Sequence, residues 1–236
     1  KAVAERHFKV VVDYSYGTTS FVMPNVLSKL RAEVLAVNPF ASTSGVLAND
    51  RHAHTAGVAE LVKASGADLG AVLDPSGEQL TLVDDTGTVL TDDELLFCFL
   101  DLVSDRLLGD SIALPVTAPR AAADIVASRG YHVRWTKTSV ASLMEAAAEP
   151  GVGFGANRSG GVILPGFLPA FDAAGGLLKM LDLLAARGAQ LSEIRTAAPV
   201  AHLLHEEVVT PWEQKGTVMR SLVEQTQGRD VDLIDG

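Results

Sequence analysis

The chain has 236 residues, 47% of them hydrophobic, and carries 19 basic against 29 acidic side chains for a formal net charge of −10. This length is enough for one large domain or two of ordinary size, and the apolar content can supply a core for either. Nucleic acids and anionic membranes require clustered Lys and Arg, so the acidic balance predicts neither as a partner. Small molecules or proteins are the partners that the composition favours.

The single cysteine, Cys98, lies inside an apolar run, which predicts a buried thiol and excludes a disulfide within the chain. No apolar stretch approaches the roughly 20 residues that a membrane-spanning helix needs, and the N-terminus lacks a signal-peptide pattern. We therefore expect a cytoplasmic protein. A strand pattern starts within a few residues of Lys1 and another ends just before Gly236, so we expect both ends to be cut from a longer protein.

In the first half of the chain, apolar runs rich in β-branched residues alternate with helical stretches, as in α/β domains with buried strands. The predicted elements are a helix over residues 2–6, a strand over 10–13, a helix over 21–30, a strand over 33–37, a loop over 38–54, a helix over 56–65, and strands over 69–73 and 80–83 joined as a hairpin. Thr91 and Glu94 form a predicted capping box, which starts a helix reaching about residue 107. We expect this helix to join two domains.

The second half repeats the alternation and predicts a second α/β unit. Its predicted strands cover residues 111–116, 132–136, 152–154, 162–164 and 231–234, and its predicted helices cover 119–128, 140–148, 172–187, 191–197 and 218–225. From residue 191 onward the pattern weakens, which indicates part of a further unit.

Two turns that follow strands, over residues 14–19 and 155–161, are candidate phosphate sites, because backbone N–H groups at such turns attract anions. Arg158 strengthens the second turn, since a guanidinium pairs well with phosphate oxygens. Either turn could equally be an ordinary strand-to-helix connection.

Asp74 and Glu78 flank a tight turn at the end of a predicted strand, where two carboxylates could share a magnesium ion through their oxygens. The alternative is a solvated hairpin turn. Two histidine pairs also raise a zinc alternative, although neither has a third ligand nearby in sequence. These pairs are His52 with His54, and His202 with His205.

Several short segments follow one another in a specific order. A-D-L-G at residues 67–70 leads into D-P-S-G-E-Q at 74–79 and D-D-T-G at 84–87, while T-K-T-S stands at 136–139 and A-N-R-S-G-G at 156–161. In this order they resemble the A-D-L-G strand, the D-G-D-G-D-R metal loop, the D-x-x-G-x-x-L turn, the T-K-V-G segment and the G-E-x-S-G-H sugar loop of the α-D-phosphohexomutases, the phosphomannomutase/phosphoglucomutase superfamily. The resemblance runs from about residue 8 to residue 186.

The resemblance implies two consecutive three-layer α/β/α domains with mixed sheets. Residues 1–96 would correspond to the family's domain II and residues 97–198 to its domain III, followed by a linker and the start of an incomplete domain IV-like unit over 199–236. It also implies the chemistry of a mutase, which moves phosphate between two positions of one sugar through a phosphoserine and uses Mg²⁺.

The departures from the family pattern fall on both ligand loops. In the metal loop, the three positions that would hold Mg²⁺ are Asp74, Ser76 and Glu78, and Gln79 replaces the arginine that follows. One carboxylate is lost and another is longer, so we expect magnesium binding to be weak or absent.

The sugar loop has lost its glutamate and its histidine, which correspond to Asn157 and Gly161. The degenerate sugar-phosphate-binding set implied by the resemblance is Asn157, Arg158, Ser159, Gly160 and, from the T-K-T-S segment, Lys137. No residue of the chain corresponds to a catalytic residue, because the resemblance implies a serine nucleophile in the family's first domain.

We interpret the chain as a degenerate phosphohexomutase module that is inactive alone. Similar modules are joined to sugar-1-phosphate nucleotidyltransferases such as mannose-1-phosphate guanylyltransferase, so the favoured role is to bind a hexose phosphate or regulate such a protein, with other domains of the same polypeptide as partners. Two alternatives stay open. One is a genuine mutase once the missing domains are present, and the other is a purely structural or oligomerisation module.

Overall fold

The computed structural model describes residues 1–47, 50–201, 207–230 and 234–235, in which helices flank two β-sheets. The strands are β1 (Lys9–Asp13), β2 (Glu33–Val37), β3 (Leu69–Leu73), β4 (Leu80–Asp84), β5 (Ser111–Pro115), β6 (His132–Thr136), β7 (Val152–Ala156), β8 (Val162–Leu164) and β9 (Leu168–Phe171). The helices are α1 (Ala2–Arg6), α2 (Met23–Lys29), α3 (Thr43–Leu47), α4 (Arg51–Ser65), α5 (Asp92–Val103), α6 (Arg120–Ser128), α7 (Val140–Ala147), α8 (Ala173–Arg187), α9 (Leu191–Ala197) and α10 (Trp212–Thr226).

The two sheets share one connectivity, and both are mixed. The first has the order β2-β1-β3-β4, with β4 antiparallel to β3, and the second has the order β6-β5-β7-β8-β9, with β8 and β9 antiparallel. The other strand pairs in each sheet are parallel. The carboxyl ends of the parallel strands therefore meet at one edge of each sheet, which is where ligand-binding turns collect in α/β folds.

Each sheet is covered by helices on both faces, which gives two consecutive α/β/α domains. All five residues of β3 are buried, because α4 packs on one face of its sheet while α8 packs on the other. In the second sheet, α7 covers one face and α6 and α8 cover the other. Strands covered on both faces appear in the sequence as continuous apolar runs. This explains why apolar runs alternating with helical stretches predict the two α/β domains.

The two domains share a layer of helices. Although α8 follows the second sheet in sequence, it contacts β3 and β4 of the first sheet as well as β8 of the second. A Cβ at Gly176 of α8 would meet both Leu80 of β4 and Val162 of β8. The main hydrophobic cluster therefore runs through both domains and does not stop at a boundary between them.

Most predicted elements are present, and the main differences have identifiable reasons. Helix α3 lies inside the predicted loop over 38–54 and was missed, and α5 ends at Val103 rather than at about residue 107. The predicted loop over 38–54 was wrong in part, because Asp50 accepts hydrogen bonds from His52 N–H and Ala53 N–H and starts α4 at Arg51, five residues early. Strand β9 was missed because it contains Pro169 and is half exposed, as an edge strand allows. Helix α10 starts at Trp212 rather than at residue 218.

Two further predictions concern the ends of the chain and the membrane. The predicted strand over 231–234 lies largely outside the described residues. Within the described ranges, every helix is too short or too polar to cross a membrane.

A buried carboxylate connects the two domains. Asp84, at the end of β4, is fully buried, and its Oδ1 accepts hydrogen bonds from the Thr86 N–H (2.9 Å), the Thr86 hydroxyl (2.6 Å) and the Thr88 N–H (3.0 Å). Its Oδ2 accepts from Nε of Arg195 on α9 at 2.7 Å. Burial alone raises the pKa of Asp84, but the hydrogen bonds from Thr86, Arg195 and Thr88 outweigh it and hold the pKa below its ordinary value.

The next residue reinforces the same connection. Asp85 accepts hydrogen bonds from the Ser192 N–H at 2.9 Å and from the Ser192 hydroxyl at 2.8 Å. The D-D-T-G turn that follows β4 thus binds the start and the middle of α9, and it fixes the first domain on the second.

We predict that Arg195→Met destabilises the chain at neutral pH by about 3 kcal/mol, because it leaves the charge of Asp84 buried without its cation. The free energy of unfolding, measured by urea denaturation, checks this. Since the folded pKa of Asp84 is lowered, its contribution is present above about pH 4 and is lost as the pH falls through the folded pKa. The difference between wild type and variant should therefore shrink below about pH 4.

A matched control is Glu60→Gln, which breaks an exposed pair between Lys63 and Glu60 and should change the stability by less than about 0.5 kcal/mol. A loss below about 1 kcal/mol for Arg195→Met, or a difference that grows in acid, would contradict this account of the interdomain contact.

Candidate functional site

The turn between β3 and β4 is organised around the carboxylate of Asp74. Oδ1 accepts hydrogen bonds from the Glu78 N–H and the Gln79 N–H, both at 2.7 Å. Oδ2 accepts from the Ser76 N–H at 3.3 Å and from the Ser76 hydroxyl. A carboxylate has about four lone-pair sites, so Asp74 is saturated by its own turn.

The donor set of this turn does not fit a magnesium ion. Mg²⁺ requires oxygen ligands in near-octahedral geometry, usually with one or two carboxylates turned toward it. Here the Asp74 oxygens face backbone N–H groups, Ser76 has no charge, and the Glu78 side chain is exposed. Across the described ranges, no three His, Cys, Asp or Glu side chains are grouped in a way that could hold a metal ion.

The sugar turn, which we define as residues 157–161, is closed in the same manner. Asn157 Oδ1 accepts a hydrogen bond from the Gly161 N–H at 2.9 Å, and the Asn157 N–H donates to the Gly161 carbonyl at 3.0 Å. Ser159 is exposed at the tip of the turn, while Gly160 and Gly161 are buried. The ring of Phe171 lies against Gly161, so this position has little room for a side chain.

The Asp74 turn and the sugar turn contact each other directly. The Leu80 N–H donates to the Gly160 carbonyl at 3.0 Å, and Gln79 forms an antiparallel bridge with Gly161. The Ala173 N–H at the start of α8 donates to the Gly77 carbonyl at 2.9 Å. The structure therefore places the two turns side by side.

Arg158 faces a carboxylate of the first domain. Its Nε and Nη2 donate to the two oxygens of Asp93, in the first turn of α5, at 2.6 and 3.1 Å. This hydrogen-bonded pairing raises the pKa of Arg158 above its ordinary value. Arg158 therefore positions the sugar turn. To bind a phosphate group as well, Arg158 would have to use its remaining N–H groups or release Asp93.

Lys137 lies at the same edge of the second sheet. Lys137 directly follows β6 and Asn157 directly follows β7, and β5 lies between these two parallel strands. Two strand spacings separate the residues, which is about 10 Å. Lys137 is exposed. Next to it, the Thr138 N–H and hydroxyl donate to the carboxylate of Asp235, the former at 2.9 Å, and these bonds lower the pKa of Asp235. This segment thus binds an anionic group within the chain itself.

The histidine pairs do not form a zinc site in the described part of the chain. His54 on α4 directs Nδ1 at the buried Asp13 Oδ2 at 2.8 Å, and Asp13 also accepts from the Asn38 amide. His52 is exposed on the same helix. His202 and His205 lie outside the described residues.

Comparison with known families gives matches over most of the chain. Family models for alpha/beta/alpha domains II and III of phosphoglucomutase/phosphomannomutase match residues 1–87 and 91–201, respectively. A curated phosphoglucomutase/phosphomannomutase of Thermococcus kodakarensis is 26% identical over 239 residues, which covers 100% of this chain and 52% of that protein. The chain spans about half the length of the curated relatives it matches.

Solved structures show the same fold. A phosphoglucomutase/phosphomannomutase family protein from Burkholderia thailandensis superposes with a TM-score of 0.72 at 24% identity, covering 85% of this chain and 46% of that one. An Aspergillus fumigatus N-acetylphosphoglucosamine mutase, solved in complex with GlcNAc-6P and magnesium, superposes with a TM-score of 0.56 at 14% identity, covering 83% and 51% of the two chains.

We predict that Gly160→Ala lowers the free energy of unfolding by about 2 kcal/mol or more. Gly160 has a φ of +85°, and a Cβ there would press into the Leu80 carbonyl, which is backbone and cannot move aside. The control is Gly166→Ala in an exposed turn, where a Cβ has no neighbour within 4 Å and the change should stay within about 0.5 kcal/mol. Equal effects of the two substitutions would contradict the close contact between the turns.

We predict that the native chain binds magnesium weakly or not at all at millimolar concentration in titration calorimetry. The combined change Pro75→Gly, Ser76→Asp and Glu78→Asp should create measurable binding, because it restores the three short carboxylates that the resemblance implies. Tight binding by the native chain, or none by the triple variant, would show that this turn does not correspond to the metal loop of the family.

Proposed function

The chain belongs to the phosphoglucomutase/phosphomannomutase family, and we propose that it binds a hexose phosphate without converting it. The observation that carries this proposal is the saturated carboxylate of Asp74, which accepts four hydrogen bonds from its own turn. Phosphoryl transfer needs a cation to neutralise the charge on the phosphoryl oxygens. We propose that the Asp74 turn holds no magnesium, so this domain pair would lack that cation.

The features that support ligand binding are on the second domain. Ser159 presents an exposed hydroxyl at the tip of a turn whose backbone is fixed by Asn157 and Gly160. At the same sheet edge, the exposed Lys137 offers a cation for an anionic group. We propose that Ser159 and Asn157 contact sugar hydroxyls and that Lys137 contacts the phosphate. The Aspergillus fumigatus relative, solved with GlcNAc-6P, supports this ligand class.

One alternative has a specific observation in its favour. The curated relatives carry mutase names, and this chain spans about half of their length, so a complete polypeptide could supply a nucleophile and further phosphate ligands. Under that alternative, the parent protein would be a hexose phosphate mutase that tolerates an altered Asp74 turn. A structural or oligomerisation module is the third candidate, and it requires that the chain bind no hexose phosphate.

We also propose that other domains of the same polypeptide cover α10. Among the residues of this helix, none is buried, and its apolar side chains Trp212, Val218, Met219, Leu222 and Val223 are 40–80% exposed on one face. Amphipathic helices of folded proteins normally bury such a face. Hydrogen exchange at α10 should be fast in the 236-residue chain and slow in the longer polypeptide, and equal rates would count against this contact.

The finer proposal is that the longer polypeptide carries a nucleotidyltransferase domain of the mannose-1-phosphate guanylyltransferase type, which this pair of domains would regulate. Its support is the resemblance of the degenerate loops to such modules. The sequence upstream of Lys1 tests it: a phosphoserine segment there favours the mutase, and a nucleotidyltransferase domain favours regulation.

We predict that the purified chain binds mannose or glucose phosphates equally well in EDTA and in magnesium, and that it forms no 6-phosphate from the 1-phosphate. Calorimetry measures the binding, and a coupled assay with a bisphosphorylated activator measures turnover. Lys137→Ala should weaken binding about tenfold or more, because a hydrogen bond to a charged group contributes about 1.5–3 kcal/mol.

Lys29→Ala, which removes an exposed lysine at the end of α2, is the matched control and should leave binding unchanged. Steady turnover would favour the mutase, and the absence of any binding would favour the structural module.

A further inference from the structure

A turn of the first domain, residues 14–19, carries unusual strain and unpaired polar groups. Ser15 and Tyr16 have φ values of +45° and +58°, although neither is glycine. Among the described residues, the buried side-chain polar atoms without a hydrogen-bond partner are Tyr14 Oη, Ser15 Oγ and Thr19 Oγ1, and all three belong to this turn. Left-handed non-glycine residues and unpaired buried hydroxyls are both costly, and both are concentrated at functional sites.

One of these hydroxyl residues lines a small polar cavity. Ser15, which is 1% exposed, borders a cavity of about 30 Å³ together with Arg51, Val72, Asp74, Gln79 and Thr81. This cavity lies between the end of β1, the start of α4 and the hairpin of β3 and β4. A water-sized group needs about 10–15 Å³, so the cavity can receive one or two oxygen atoms.

Apart from the Gln79 amide, which can donate or accept, the side chains around the cavity with hydrogen-bonding capacity left are the Arg51 guanidinium and the hydroxyls of Ser15 and Thr81, all of which can donate. Arg51 directs Nε and Nη2 at Thr81 Oγ1, at 3.0 and 2.7 Å, which uses both lone pairs of that hydroxyl and leaves its proton. The outer N–H groups of Arg51 and the Ser15 hydroxyl are also left to donate. Asp74, as shown above, has no acceptor capacity left.

Two carboxylates near the turn have hydrogen-bond or ion-pair partners within the fold, and Asp13 also accepts a hydrogen bond from the Ser15 N–H at 2.8 Å. Asp13, directly before this turn, is paired with His54 at 2.8 Å. Asp92 lies 3.9 Å from Arg51 Nη2 at the exposed start of α5, where solvent screens it. Arg51 is therefore the cation closest to the unused hydroxyl donors of Ser15 and Thr81.

We propose that this cavity is a second anion site, in which Ser15, Thr81 and Arg51 bind an oxygen of a phosphate group. The excess of donors selects an acceptor oxygen, and the guanidinium of Arg51 supplies the charge. At this end of the first sheet, the positive charge would come from the Arg51 side chain and not from a metal ion bound at the Asp74 turn. This site is separate from the hexose phosphate site on the second domain.

The probe that tests the proposal is inorganic phosphate, titrated into the whole chain and followed by ³¹P NMR line broadening, with potassium chloride at matched ionic strength as the reference. We expect binding by the wild type and about tenfold weaker binding by Ser15→Ala and by Arg51→Gln. The matched control is Thr19→Val, which removes another unpaired buried hydroxyl that does not line the cavity.

Thermal unfolding without phosphate separates ligand binding from folding. Ser15→Ala and Thr19→Val should both raise Tm, because each removes a buried hydroxyl without a partner. Only Ser15→Ala should lose the phosphate-dependent rise in Tm. The proposal is overturned if the wild type responds to phosphate no more than to chloride, if Ser15→Ala and Arg51→Gln bind as the wild type does, or if Thr19→Val loses binding.

The source of the phosphate group is decided by repeating the titration with a hexose phosphate. If Arg51→Gln weakens that ligand as well, the cavity receives the sugar's own phosphate. If only inorganic phosphate is affected, the site takes the free ion. Lys137→Ala tests only the site on the second domain. Failure of hexose phosphate binding at Lys137 can therefore be distinguished from failure of phosphate binding in the Ser15 cavity.

Discussion

The hydrogen bond from the Leu80 N–H to the Gly160 carbonyl holds the Asp74 turn against the sugar turn. It brings the end of the Asp74 turn against the sugar turn and requires residue 160 to adopt a φ that favours glycine. The contacts of Gly77 with Ala173 and of Asp84 with Arg195 extend the same junction on either side. The two domains therefore present their loops as one surface, supported by the shared helix α8.

Within that surface, some polar side chains are hydrogen-bonded or paired within the chain and others are exposed. The Asp74 turn uses its carboxylate to fix its own backbone, and Asn157 does the same for the sugar turn. Arg158 is paired with Asp93, whereas Lys137 and Ser159 are exposed. Compared with the loops that the resemblance implies, the Asp74 turn has one carboxylate fewer and one that is longer, whereas Lys137 and Ser159 are exposed and can contact a ligand. That contrast is the physical basis for proposing binding without turnover.

The sequence predicted the fold well because most strands are covered on both faces and read as apolar runs. The predicted starts of α5 and α8 agree with the N-caps at Thr91 and Asp172, since capping residues act locally. The start of α4 was missed because its first turn is polar and exposed. Strand β9 was missed because tertiary pairing with β8, rather than local propensity, holds its proline-containing segment in the sheet.

The candidate site was predictable only in part. The resemblance identified Asp74, Ser76 and Glu78 as a depleted ligand set, but saturation of the Asp74 oxygens depends on turn geometry that composition does not encode. The pairing of Arg158 with Asp93 joins residues 65 positions apart, and the Ser15 cavity gathers side chains from four different segments. Such long-range contacts follow from the topology of the two sheets, and a local motif gives no signal for them.

The central claim is that this pair of domains binds a hexose phosphate without a metal at the Asp74 turn. A high-resolution crystal structure of the chain grown with mannose 1-phosphate and magnesium chloride tests it most directly. The account predicts sugar density beside Ser159 and Asn157, phosphate density at Lys137, and the Asp74 oxygens still bonded to the backbone of their own turn. A magnesium ion coordinated by Asp74 and bridging to the phosphate would contradict it.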